Sequence, residues 1–429
     1  MNEYDSNRIL DLVKKINYTP TRNIEETNCY ILNTCHIREK ATDKVYHDIG
    51  RVKKEFRNKK KPIVLIAGCV AQAEGEILLK KEKYIDAVVG PQSYHEINRI
   101  ILEIESKDKK VNSTEFEVIA KFDELNLIKN SDNKISSFLT IQEGCDKFCK
   151  FCVVPYTRGP EHSRSLSEIV IEAKQLVDNG AKEIILLGQN VNAYNSNGYR
   201  LSDLILEIEK YSEIERVRYT TSHPKDMTDD LIEVYKDSKK IMPLVHLPVQ
   251  SGSNKILDLM NREHKIEEYL KIFDRLKEIN SNIKFSSDFI IGYPGEEEKD
   301  FENTFELIKK VKFINSYSFI FSPRPGTVAA DLKLIDKEIS MARLEKIQKL
   351  LFENQINMNK SLENNIINVL AENLTKDKSQ VFGRSEYMTS VIFNGKEEDV
   401  GKIIPVKIKQ SNRSALFGES INNLKKKVA

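Results

Sequence analysis

Apolar and polar positions follow two different periods along this chain, and the period changes from segment to segment. Near the start, Ile9, Leu10, Leu12, Val13 and Ile16 recur at helical spacing. They predict an amphipathic helix with Asp5 or Ser6 as its N-cap. The short apolar run CYILNTC at 29–35 predicts a strand, and a long helix follows over about 37–57. A second strand, PIVLIAGC, ends at Cys69; a short helix and the strand DAVVG at 86–90 come next. An order of helix, strand, helix, strand, helix, strand predicts an open parallel α/β sheet.

A Lys- and Asn-bearing linker at 126–134 precedes the strand SFLTIQEGC, and a regular alternation begins there. Helices near 166–179, 201–212, after Met227, 265–279 and 299–311 lead to apolar runs at 183–190, 216–224, 244–253, 283–296 and 316–327. Six β/α units in series predict an incomplete barrel, in which polar groups at the strand ends carry the chemistry. Beyond it, a Gln- and Asn-rich helix gives way to short β-type runs, with glycines at 383, 395, 401 and 418. That spacing predicts a small β-barrel. The expected fold is therefore α/β in three parts: an open parallel α/β domain over 1–110, a partial (β/α)6 barrel over 135–355, and a small C-terminal β-barrel over 356–429.

Composition narrows the class. With 429 residues, 40% hydrophobic, the chain can bury several cores. Its net charge of +2 excludes a uniformly basic nucleic-acid binder, so an RNA surface must come from local arrangement. Lysine runs at Lys59–Lys61 and Lys425–Lys427 read as solvated surface. No stretch resembles a signal peptide, and no run of about 18 apolar residues would span a membrane. Six cysteines are too sparse for a disulfide scaffold. They point to a reducing, cytoplasmic setting and functional thiolates.

Three of them, Cys145, Cys149 and Cys152, fall within eight residues, with Phe151 before the last. Thiolates this dense usually hold a metal centre. Three suit a [4Fe–4S] cluster with one iron left open to the nitrogen and oxygen of a small molecule; the alternative is a zinc loop with a distant fourth ligand. Cys35 and Cys69 end two adjacent strands and converge if the sheet is parallel; otherwise each is a small buried residue. Cys29 belongs to the core. The barrel strand ends carry Gln189, Asn190, Ser222, His223, Gln250, Ser251, Ser287 and Asp288, some of which serve only to cap helices. His246 reads as a satisfied core histidine, and the turn at 292–296 needs no role beyond its Gly and Pro. Arg384, Lys402, Lys407, Lys409 and Arg413, interleaved with Phe382, Tyr387 and Phe393, suit RNA contacts or a plain solvated β-face.

Motifs sharpen these readings. LNTCHIREKA and AGCVAQAEGE in the first part resemble the N-terminal domain of tRNA methylthiotransferases. VVPYTRGPEHSR, LLGQNVNAY, TTSHP, HLPVQSGS, SDFIIGYPGE and YSFIFSPRPGT resemble that family's radical S-adenosylmethionine (SAM) core. VFGRSEYMTSVIFNG and GKIIPVKIKQSNRSALFGE resemble the TRAM domain, an RNA-binding module. The resemblance implies that Cys145, Cys149 and Cys152 bind the cluster that cleaves SAM, and that Phe151 occupies the loop's aromatic position. It implies SAM contacts at Gly188, Gln189, Asn190, Ser222, Gln250, Asp288 and Gly292. Here Gly188-Gln189-Asn190 stands where the superfamily often has Gly-Gly-Glu, and the later Gly-x-Ile-x-Gly pattern keeps only Ile290 and Gly292.

The family also carries an auxiliary [4Fe–4S] cluster, and Cys35 and Cys69 match two of its three ligands. The third is expected in a Gly-Cys-Gln stretch just before the opening Met-Asn. On that reading the start is misassigned or the chain is truncated, and the given chain cleaves SAM while adding little methylthio group. The implied chemistry removes hydrogen from C2 of an adenine beside the tRNA anticodon and attaches a methylated sulfur there. The branch acting on N6-isopentenyl adenosine at position 37 is the nearest. Alternatives are relatives acting on threonylcarbamoyl adenosine or on a ribosomal protein, and an RNA-binding protein retaining only SAM cleavage. Expected partners are the tRNA anticodon loop and a small electron donor such as flavodoxin or ferredoxin, with the chain a monomer.

Overall fold

The computed structural model describes residues 1–35, 40–107, 109–115 and 118–421. His36–Glu39, within one quoted motif, and the Lys425–Lys427 run lie outside the described residues. The chain divides into two compact units that interleave in sequence. The first comprises Met1–Asp132, Thr140–Gln175 and Ser322–Ala330; the second comprises Asn133–Leu139, Leu176–Phe321 and Asp331–Ala429.

In the first unit, strands Cys29–Thr34, Ile63–Gly68, Ala87–Val89 and Val111–Ser113 form a parallel sheet in that order. The run IVLIAG is apolar throughout because both sheet faces are covered. Leu65 and Ala67 pack with Ile9, Leu12, Ile97 and Ile101 on one side. Val64 and Ile66 pack with Val45, Ile49, Val52 and Phe56 on the other. Cys29 packs at the margin of the first layer, as expected, and burial pushes its thiol up to about 12. The expected open parallel sheet is present with one strand more than the pattern signalled; VNS is too short and polar to read as a strand.

The opening helix spans Asn2–Lys14, earlier than an N-cap at Asp5 or Ser6 allows. Asp5 lies inside it, buried, because its carboxylate receives Arg158 at 2.7 Å. The Ser6 hydroxyl instead donates to the Asn2 carbonyl. The stretch at 126–134 is no slack linker either. Asn130 is buried and donates to Glu172 at 2.7 Å. Glu172 also accepts from Arg164 and from the Tyr4 hydroxyl.

In the second unit the barrel strands are all parallel where they pair. Arg216–Thr220 lies beside Glu183–Leu187, and Leu244–His246 beside Lys284–Ser286. Asp288–Ile291 lies beside Tyr317–Ile320. The run at 283–296, expected as one strand, breaks at Ser287. That hydroxyl accepts from the Val249 amide and reaches the Leu247 carbonyl, which pulls the residue out of the ladder. A helix Asn254–Met260, capped by Ser253, adds an element the periodicity did not show. Helix Lys337–Ser361 is longer than its Gln- and Asn-rich half and runs through residue 356, where the pattern changes. Its inward stripe is Ser340, Arg343, Ile347, Leu351, Gln355 and Asn359.

Strands Ile366–Leu374, Val381–Ser385, Ser390–Asn394, Ile403–Ser411 and Ala415–Ser420 close into a barrel. Within this unit, Arg216 and Arg218 clamp it to the start of strand Arg216–Thr220. Arg216 donates to the Arg384 and Asn368 carbonyls, and Arg218 to those of Glu386 and Ser385. Burial, and then the neighbouring Arg218, hold Arg216 down to about 10. Glu183 balances Arg218 at 2.8 Å.

Candidate functional site

The cysteine loop of the first unit is short and pinned at several points. The Cys145 amide donates to the Gly159 carbonyl at 3.2 Å, and the Cys152 amide to the Cys149 carbonyl at 2.9 Å. The Lys150 carbonyl accepts from Ala329 at 2.9 Å. Phe148 takes a left-handed conformation, φ 46°, with its ring exposed and edge-on to Tyr156. A non-glycine residue rarely adopts that conformation unless its surroundings impose it. Phe151 is half-buried, Cys149 is buried, and no cysteine of the chain is in a disulfide. Burial pushes the Cys145 thiol up to about 11. Three free thiolates on one short loop are a donor set that fits a [4Fe–4S] cluster with one iron left open.

Cys35 and Cys69 come together by register. Thr34 pairs with Gly68 on adjacent parallel strands, so the next residue of each is a cysteine at a strand's carboxyl end. Neighbouring strands lie about 4.8 Å apart. The Thr34 hydroxyl donates to the Ala67 carbonyl at 2.6 Å and ties the two ends. Gly68 has φ 94°, and a Cβ there would lie 2.3 Å from the Thr34 carbonyl oxygen. Only glycine permits that approach.

The same unit holds a buried charge network that sequence reasoning missed. Arg158, on the short helix Val154–Arg158 after the cysteine loop, pairs with Asp5 at 2.7 Å and Glu143 at 3.4 Å. Lys121 pairs with Glu143 at 2.5 Å and Asp5 at 3.8 Å. All four side chains are 3% exposed or less, so two cations balance two carboxylates away from water. Burial opposes the charge on Arg158, but Asp5, Cys69 and Glu143 outweigh it and hold the guanidinium well above its ordinary value. The loop that carries the cysteine triplet is thereby tied to the helix over the sheet and placed within electrostatic reach of Cys69. Its members are up to 153 residues apart, so no local pattern reveals it.

In the second unit, the strand-end candidates divide. Asn190 donates to Asp226 at 2.8 Å. The Asn192 side chain bridges the His223 amide and carbonyl. Ser251 lies 3.3 Å from Thr304, and Ser287 bonds backbone groups. These four, Asn190, His223, Ser251 and Ser287, are engaged in holding loops. Ser222 is buried, its hydroxyl unpartnered among the described residues, and Thr221 before it takes φ 70°, an outlier for a β-branched residue. Gln250 also takes a left-handed φ, 71°, and its amide and carbonyl bridge Asp288 and Ile290. Gly188 is buried and Gln189 half-buried just past strand Glu183–Leu187. Burial raises the Asp288 carboxyl, opposed by His246 at 3.8 Å; His246 is itself satisfied by Ser286 at 2.9 Å. Gly292 has φ 70°, and a Cβ there would meet the Ser340 hydroxyl at 2.4 Å. Packing alone therefore requires glycine at that position.

Comparison with known proteins places these parts. Residues 139–308 match the model of the radical SAM superfamily, 1–90 that of uncharacterized protein family UPF0004, and 360–421 that of the TRAM domain. The tRNA-2-methylthio-N(6)-dimethylallyladenosine synthase of Pelagibacter ubique (strain HTCC1062) is 66% identical over 433 aligned positions, which cover 100% of this chain and 97% of the relative. The chain belongs to the radical SAM tRNA methylthiotransferase family. The enzyme of that name from Wolbachia pipientis subsp. Culex pipiens (strain wPip) is 48% identical, over 97% of each chain. Among solved structures, the radical SAM methyltransferase TsrM from Kitasatospora setae, with cobalamin and a [4Fe–4S] cluster bound, aligns with TM-score 0.57. That alignment covers 77% of this chain and 74% of TsrM. At 11% identity the likeness is one of fold. Membership of the radical SAM family brings a [4Fe–4S] cluster and SAM as cofactors.

The TRAM barrel corrects one expectation about this methylthiotransferase. Phe393 is fully buried, and Tyr387 is 7% exposed with its hydroxyl on the Asn282 carbonyl. Neither ring lies on an RNA-facing surface. Arg384 is held by Glu372 and lies over Phe382; Arg413 covers Phe352. Lys402, Lys407, Lys409 and Arg413 are exposed. Along strand Ile403–Ser411 the lysines alternate outward while Ile404, Val406 and Ile408 fill the core. No described helix is long and apolar enough to cross a membrane.

Proposed function

We propose that this chain converts N6-dimethylallyl adenosine at position 37 of tRNA to its 2-methylthio derivative. The observation that carries the reading is the 66% identity, over 100% of this chain and 97% of the relative, with a synthase named for that product. Cys145, Cys149 and Cys152 would hold the cluster that binds SAM, and Cys35 and Cys69 would supply two thiolates to the auxiliary cluster. When bound, the first cluster and SAM supply the radical that removes hydrogen from C2 of the adenine.

The protein's own residues position and shield. The Lys150–Ala329 bond and the turn from Cys149 to Cys152 fix where the three thiolates start, and the tied ends of two strands fix the other two. Ser222, Gln250 and Asp288 at the barrel strand ends would orient SAM, and the Ser222 hydroxyl has a bond to spare. Gly188, Gln189, Asn190 and Gly292 would shape the space around it, and Phe151, in the first unit, would shield the loop of Cys145, Cys149 and Cys152. Lys402, Lys407, Lys409 and Arg413 would hold phosphates of the anticodon arm. A single-stranded loop can splay its adenine at modest cost. A small electron-donor protein is required, and nothing in the chemistry needs more than one copy of this chain.

The reading is tested with two tRNAs, one dimethylallylated and one threonylcarbamoylated at position 37. Anaerobically reconstituted protein, SAM and a reductant should yield a 2-methylthio nucleoside from the first alone by mass spectrometry. Product from the second overturns the substrate assignment; 5′-deoxyadenosine without 2-methylthio nucleoside from either tRNA bears out instead the expectation that a chain offering two auxiliary thiolates cleaves SAM and adds little methylthio group.

A further inference from the structure

We propose that Tyr317 and Phe319 form a stacking ledge for an unpaired nucleobase of the tRNA anticodon loop, on the inward face of the last barrel strand. The inference rests on the tRNA reading above and adds a base-binding subsite to it.

The face follows from register. Phe285 packs on Phe273 of helix Ile266–Ile279, centroids 4.9 Å apart, and Phe289 packs on Phe313, 5.3 Å apart, so these rings point outward into the helix layer. Side chains alternate along a strand, so Asp288 and Ile290 point the other way. Asp288 indeed faces His246 at 3.8 Å. In the parallel pairing Asp288 is opposite Tyr317 and Ile290 is opposite Phe319. Partners in a ladder share a face. Tyr317 and Phe319 therefore line the same inward surface, while Ser318 between them is buried on the outer side.

Two large rings on that surface are 59% and 43% exposed, with planes 9° apart and centroids 6.4 Å apart. Neither ring is part of the buried core. Parallel exposed rings suit a planar aromatic ligand. SAM also carries an adenine, but position favours RNA. The Asn315 side chain, two residues before Tyr317, donates to the Tyr387 carbonyl of the TRAM barrel at 2.7 Å. The ledge thus begins beside the RNA-binding module and runs toward the strand's carboxyl end.

The test uses the full chain and a fluorescein-labelled anticodon stem–loop bearing N6-dimethylallyl adenosine. The double variant Tyr317→Ala/Phe319→Ala should bind it about 5- to 100-fold more weakly, as expected when a base stack is removed. The slope of log affinity against log salt should not change, because neither ring neutralises a phosphate. The exchange Tyr317→Phe/Phe319→Tyr, which keeps both rings, should bind like the parent, and both variants should keep the parent's melting temperature and SAM affinity. Unchanged RNA affinity in the double alanine variant overturns the ledge. So does a loss of SAM binding with RNA binding intact, which would assign the rings to the cofactor's adenine. A parent chain that does not bind the stem–loop overturns instead the tRNA reading on which the ledge rests.

Discussion

A buried charge is costly unless it is paired, and removing one partner leaves the other stranded. Arg158 is such a partner for both Asp5 and Glu143. Arg158→Met should therefore destabilise the protein by about 3–5 kcal/mol, seen as an earlier urea transition. Arg158→Lys, which keeps the charge but not the fork, should fall between. A methionine variant that unfolds at the parent's urea concentration would show that the network does not hold the loop. At this scale the sequence is only partly legible. The cysteine triplet announces itself by spacing. The network around it does not, because its four members come from four separate stretches and meet only after folding.

At the scale of elements, helix Leu166–Asp178 is held by Glu172. Burial pushes that carboxyl up, but Arg164, Arg8 and hydrogen bonds from Arg164 and Asn130 win and hold it below its ordinary value. A carboxyl depressed in the folded state contributes stability that is fully present above the unfolded value, about 4.3, and is lost as pH falls through the lower folded value. The melting temperature should drop across that acid window, and Glu172→Gln should lose this part of the drop while being less stable at neutral pH. An identical acid profile in both proteins would contradict the assignment. The TRAM strands make a second case. Replacing Lys402, Lys407, Lys409 and Arg413 by Ser should weaken tRNA binding and flatten its salt slope by about 0.7–0.9 for each phosphate that no longer meets a cation. A slope equal to the parent's would place the RNA elsewhere. These elements also show what pattern alone conveys. The unbroken run IVLIAG predicts a strand covered on both faces, and it is one. Period-2 alternation puts Val391 and Phe393 on one side of their strand, so the burial of Phe393 is already implicit in the spacing. The break at Ser287 is not, since it depends on backbone groups nearly forty residues away.

At the scale of the molecule, both cysteine sets lie in one compact unit assembled from three separated stretches of chain. The TRAM barrel and the barrel strand ends lie in the other. Parallel β/α order predicts the partial barrel, because a repeated element order propagates down the chain. Which stretches cluster into one unit is not legible in that order, because Ser322–Ala330 joins the first unit through hydrogen bonds such as Ala329 to Lys150. Cys145, Cys149 and Cys152 would carry the radical chemistry of this tRNA methylthiotransferase. That role is tested most directly by comparing the parent with the variant in which all three are alanine, after anaerobic reconstitution with iron and sulfide, on dimethylallylated tRNA with SAM and a reductant. The parent should form 5′-deoxyadenosine and the variant none; 5′-deoxyadenosine formed by the triple alanine variant would show that these cysteines do not hold the SAM-cleaving cluster.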